Sequence, residues 1–101
     1  WDKTVIGPHS RIGANSHIDH GTKLGAFCEV CAGAVISGRT EAGERAYIGP
    51  GAVLSNRLNI GAGARVSLGG VVTRDIPAGQ AVSGNFAVDH QKHLDFIREI
   101  R

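Results

Sequence analysis

"IGANSHIDHGTKLG", residues 12–25, is built on a beat of six: Ile12, Ile18 and Leu24 are evenly spaced, and glycine follows the first and third. Six is neither the helical period of about 3.6 nor the strand period of two. Carried outward, the series runs Ile6, Ile12, Ile18, Leu24, Val30, Ile36, Ala42, Ile48, Leu54, Ile60, Val66 and Val72, aliphatic throughout and β-branched or leucine except at Ala42. Four places after each aliphatic the side chain is small (Ser10, Ser16, Thr22, Cys28, Ala34, Thr40), with Leu58 the bulky exception. Self-similarity at this period marks a parallel β-helix of hexapeptide repeats. Residues i and i+4 of a strand share a face, so each rung turns one large and one small side chain inward. Three rungs close a triangular coil of 18 residues, and twelve make about four coils. Stacked at about 4.8 Å, these form a prism roughly 20 Å tall. The glycines after the aliphatics, at 7, 13, 25, 43, 49 and 61, are expected to relieve the turns where φ leaves the ordinary regions.

The composition agrees. Fifteen glycines against five aromatics in 101 residues imply a core of small residues and many turns. The length allows one domain. A net charge of +2 with interleaved signs offers no basic stripe for nucleic acid. No apolar run nears the roughly 18 residues of a membrane span, and no signal peptide opens the chain. Two cysteines are too few for a disulfide scaffold, so a reducing, cytoplasmic setting is expected. There is no methionine and the first residues are already in the repeat, which suggests a fragment with an N-terminal domain outside it. The repeat occupies 1–77. Residues 78–101 read as a loop and a capping helix of the same domain, with Asp89 as N-cap and Leu94, Ile97 and Ile100 as its apolar stripe.

Residues 18 apart stack, so outward columns are readable. His17, Val35, Val53 and Val71 form an apolar column. Arg11, Glu29, Tyr47 and Arg65 form one polar column, and Lys23, Glu41, Asn59 and Pro77 another. One apolar face in three points to a subunit contact, which on a triangular prism closes as a trimer. At the border of that face His20, Gly38 and Asn56 stack. His20 is either a solvated surface imidazole or a general base suited to taking a proton from an amine or hydroxyl near neutral pH. Gly38 is placed to offer its backbone N–H to an oxyanion. Asp19, if on a strand, should point to the other face, which leaves it a weak orienting role. A metal is not expected, because His17 and His20 have no converging third ligand. In "CEVC" Cys28 falls inward and Cys31 outward, against a zinc or redox pair. "GARVSLGGVV" lacks the Lys and Ser/Thr of a phosphate-binding loop.

"IGAGARVSLGGVVTRDIPAGQAVSGNFA" (60–87) resembles the closing segment of the hexapeptide acyltransferases. "HIDHGTKLG" (17–25) is similar to the site segment of two of their branches: the nucleotide-sugar N- and sialic-acid O-acetyltransferases, and the UDP-3-O-acylglucosamine N-acyltransferases of lipid A synthesis. The resemblance implies an all-β fold, a left-handed parallel β-helix with a short C-terminal α-helix. It implies a homotrimer, with His20 as base and the Gly38 amide as donor. The acyl donor, on coenzyme A or acyl carrier protein, would lie between subunits, and no cofactor would be bound permanently. Glu29, Asn56, Gly70, Gly84 and Asn85 are expected along that donor. Three departures stand out: Gly21 replaces the acid or amide usual after the histidine, Glu29 replaces a second histidine of the sugar acetyltransferases, and "GNFA", with the helix after it, leans to the lipid A branch. The expected activity is acyl transfer to an amine or hydroxyl of a sugar or nucleotide sugar, in lipopolysaccharide or lipid A synthesis. The rival from another class is a non-catalytic trimerising scaffold.

Overall fold

A computed structural model describes residues 3–100. Twelve two-residue strands, β1 to β12, begin at Val5–Ile6 and recur every six residues to Val71–Val72. They sort into three parallel sheets along the faces of a triangular solenoid, with partners 18 residues apart: Ile6 on Leu24, Ile12 on Val30, Ile18 on Ile36. This is the left-handed β-helix of about four coils that the hexapeptide pattern implies. The second residue of each strand points inward, and Ile36, Ile48, Leu54 and Val66 are essentially sealed from water. Ile6 and Ile12, in the first coil, remain about half exposed.

The small inward residues explain how a narrow core tolerates hydroxyls. Ser10, Ser16, Thr22 and Thr40 each donate to the carbonyl 15 residues ahead, in the next coil, and Cys28 does the same with its thiol. Each side chain is too short to reach the centre but reaches the coil above, so no buried polar side-chain atom among the described residues lacks a partner. Burial raises the pKa of the Cys28 thiol.

The glycines after the aliphatics have a different role from the one expected. None of 7, 13, 25, 43, 49 and 61 has a left-handed φ. What they permit is contact: a Cβ on Gly49 would meet the Leu68 backbone nitrogen at 2.7 Å, and one on Gly43 the Ala62 nitrogen at 2.7 Å. The chain leaves each strand pressed against the next coil, where no methyl fits. The left-handed residue comes two places later, at the corner, and is often not glycine: His9, Asn15, Phe27, Arg39, Arg45 and Arg57 all lie near φ +60°.

The solenoid also runs past residue 77. Ile76 pairs with Ile60 and strand β13 (Ala81–Ser83) with Arg65–Val66, each at a spacing of 16 rather than 18. Two residues are missing from this turn, so Asp75, not Pro77, continues the Lys23, Glu41, Asn59 column. Its carboxylate accepts the Asn59 N–H at 2.9 Å, where earlier coils supply a carbonyl. The chain then reverses through β14 (Val88–Asp89), antiparallel to β13, into helix α1 (His90–Ile100). Asp89 caps it, accepting the Gln91 and Lys92 N–H groups. Leu94 and Ile97 are half-buried while Ile100 is exposed, so the helix leans on the last coil without burying a residue.

Candidate active site

His20 stands at the corner after β3 (His17–Ile18), where the valine face turns into the next one. Val35, Val53 and Val71 do point outward there, Val53 being 40% exposed. Because each strand is only two residues long, Asp19 already belongs to the bend, and its side chain turns toward His20 rather than to the other face. Its Oδ1 accepts the His20 backbone N–H at 2.8 Å and lies 3.0 Å from His20 Nδ1. Those two bonds, the backbone one first, hold the Asp19 carboxyl below its usual range. An ionised carboxylate only accepts, so Nδ1 carries the ring proton and the neutral imidazole keeps its lone pair on Nε2.

That nitrogen faces Gly38. A Cβ on Gly38 would lie 3.2 Å from His20 Cε1 and 3.4 Å from Nε2, so the ring covers the glycine and a side chain there would displace it. Arg39 N–H donates to the His20 carbonyl at 2.9 Å, and Arg57 N–H to the Gly38 carbonyl at 3.0 Å, which fixes the stack. Gly38 is buried, and its own N–H makes no hydrogen bond among the described residues. The two groups join a cleft of about 320 Å³, also lined by Asn56, Arg39 and Arg57. A bare imidazole nitrogen beside an unused amide donor is the pairing that removes a proton from a nucleophile and receives a developing oxyanion.

Of the residues expected along the acyl donor, Asn56 lines this cleft and the others do not. Glu29 pairs with Arg11 and Tyr47 on the face opposite the His20 corner. Gly70 and Gly84 bracket Val71, the first accepting the Val53 N–H and the second the Val71 N–H, and Asn85 bridges to Val71. These three gather at the last coil, along the other edge of the valine face. Arg39 and Arg57 were not singled out by sequence reasoning, although their 18-residue spacing in register with Gly21 was visible. No three His, Cys, Asp or Glu side chains converge as metal ligands among the described residues.

A triangular β-helix of six-residue rungs with a histidine laid over a glycine at one corner defines a hexapeptide-repeat protein. The bacterial transferase hexapeptide (six repeats) family model matches residues 3–38, in agreement with the sequence resemblance. The acetyltransferase domain of PglB from Neisseria gonorrhoeae, solved with acetyl coenzyme A, is 30% identical over 85% of this chain and 51% of its own, at a TM-score of 0.79. A mutant of perosamine N-acetyltransferase from Caulobacter crescentus, solved with coenzyme A and GDP-perosamine, is 33% identical over 85% of this chain and 44% of its own, at 0.74. Soybean serine acetyltransferase is 26% identical over 79% of this chain and 40% of its own, at 0.64. The chain thus spans about half the length of these structures or less. No curated protein sequence matches it. No helix among the described residues is long and apolar enough to cross a membrane.

Proposed function

We propose that the chain is the catalytic β-helix of an acyltransferase that moves an acyl group from a coenzyme A thioester to an amine of a nucleotide sugar. The observation that carries this is the His20 ring, held by Asp19 and laid over the free Gly38 amide. His20 Nε2 takes the proton from the acceptor nitrogen as that nitrogen attacks the thioester carbonyl. The Gly38 N–H receives the negative oxygen, and collapse expels the thiolate, which takes up the proton. Asp19 stabilises the imidazolium that forms in between. Hydroxyl acceptors and an acyl carrier protein donor are the variants of this chemistry, in lipopolysaccharide or lipid A assembly. The likeness to the perosamine enzyme supports the nucleotide-sugar amine over both.

The valine face is read as the contact of a cytoplasmic homotrimer, which would bring a neighbouring subunit's face against the His20 corner and complete the donor groove. Gly70, Gly84 and Asn85, at the other edge of that face, would then reach a donor bound at the neighbour's corner. Titration with coenzyme A and, separately, with acyl carrier protein tests the reading. Saturable binding of coenzyme A is the expected result. Binding of the carrier protein alone would change the donor, and binding of neither would leave a trimerising scaffold.

A further inference from the structure

The corner between the sheet of β1 and the sheet of β2 lies opposite the valine face. Its backbone repeats one bond from coil to coil: the N–H groups of Phe27, Arg45, Gly63 and Gly79 donate to the carbonyls of Pro8, Ala26, Glu44 and Ala62 in turn. His9, Phe27, Arg45, Gly63 and Gly79 all hold left-handed φ angles there, from 58° to 74°.

The side chains do not repeat. In the first three coils they are planar and stacked: the His9 and Phe27 rings are 5.0 Å apart and 18° from parallel, and the Arg45 guanidinium carbon lies 4.6 Å from the Phe27 centroid. Both distances are close to the coil spacing of about 4.8 Å, so each planar group stands level with its own coil. In the next two coils the same step holds glycine, and a Cβ on Gly63 or Gly79 would meet nothing within 4 Å. The column of planar groups ends at Arg45, with an open layer above it.

Packing does not explain this column. Glycine or asparagine meets the demand for a left-handed residue easily, as at Asn15, Gly33, Gly51 and Gly69 on another corner. A phenylalanine in that conformation is strained and, still 46% exposed, buries little in return. Strain of this kind gathers at binding sites. Arg45 is engaged at its edge, Nε lying 3.3 Å from Glu44 Oε1, while the side chain stays largely exposed. Two residues past Gly63, in the same coil, Arg65 holds a second fixed cation, 4.3 Å from the Tyr47 ring centroid. A flat ring on one guanidinium and an anion within reach of the other are the two ends of a nucleotide. Bases stack on arginine planes, and guanidinium groups bind phosphate through paired, charge-assisted hydrogen bonds.

We propose that this corner binds a purine nucleotide, its base stacked on Arg45 over Gly63 and its phosphate held by Arg65. The site is separate from the His20 corner, and the proposal does not depend on the acyl-transfer reading.

AMP is the probe, its binding followed by nitrogen-15 NMR of the full chain, with the Gly63 and Gly79 amides expected to shift. Arg45→Asn should weaken binding roughly 10- to 100-fold, the usual scale for one stacked base. Asn15 holds φ 58° in this same fold, so that variant keeps the corner. Gly63→Phe removes no proposed contact, and Phe27 shows that the corner accepts a phenylalanine, but the new ring fills the open layer. It should lose AMP while circular dichroism stays unchanged. AMP should bind more tightly than adenosine, and Arg65→Gln should erase that difference. His20→Ala should bind AMP as the unaltered chain does. No binding to the unaltered chain, undiminished binding in Gly63→Phe, equal affinity for AMP and adenosine, or shifts confined to the His20 corner would each overturn the proposal.

Discussion

His20→Ala is expected to lower acyl transfer by roughly 10²- to 10⁴-fold, the usual contribution of a positioned general base. The fold should not register the change. The ring is about half exposed (52%) and makes no core contact, and the backbone bonds of residue 20 to Asp19 and Arg39 need no side chain. Circular dichroism and the thermal midpoint should therefore stay where they are while thiol release from acetyl coenzyme A collapses. Undiminished turnover in a folded variant would remove His20 from the mechanism and return it to the status of a solvated surface imidazole.

The second large effect is on stability. Leu54 is fully buried, with Ile36 and Val72 in register on either side of it. Leu54→Ala should cost about 2–5 kcal/mol, a large share of the roughly 5–15 kcal/mol that holds a domain of this kind together. In a solenoid each coil contacts only its neighbours, so a cavity in a central coil weakens the coupling of everything on both sides. Ile12→Ala is the internal comparison. The same kind of truncation falls on a residue 41% exposed in the first coil, and it should cost well under half as much. Urea unfolding reads both. Equal losses would mean that the inward column is not the continuous core described here.

The column of aliphatics at period six was legible because a β-helix core is one-dimensional: burial depends on place in the rung, and the rung is written in the chain. The same register gave the valine face, and it placed His20 beneath Gly38 and Asn56. Three features were not legible, each for its own reason. The glycines after the aliphatics look like turn residues, but what they avoid is backbone 19 residues away, a distance that exists only once the coils are stacked. Asp19 looked like a strand residue facing away, because sequence cannot say that the strand ends at Ile18. The shortened last coil was hidden because a side chain, Asp75, replaces the missing carbonyl, and hydrophobic spacing does not record such a substitution. Glu29 shows a further limit: homology-style reasoning put it on the donor, yet in the single chain it lies across the prism from His20, and only a neighbouring subunit could bring the two into one groove.

The central claim is that Asp19 holds the His20 imidazole with its proton on Nδ1 and its lone pair on Nε2, toward Gly38. Nitrogen-15 NMR of the imidazole side chains reads this tautomer without any knowledge of the acceptor. The account predicts, for the neutral His20 ring, a protonated Nδ1 and a bare Nε2, and a loss of that preference in Asp19→Asn. A neutral His20 protonated on Nε2 in the unaltered chain would contradict it, because the nitrogen facing the cleft would then have no lone pair with which to accept a proton.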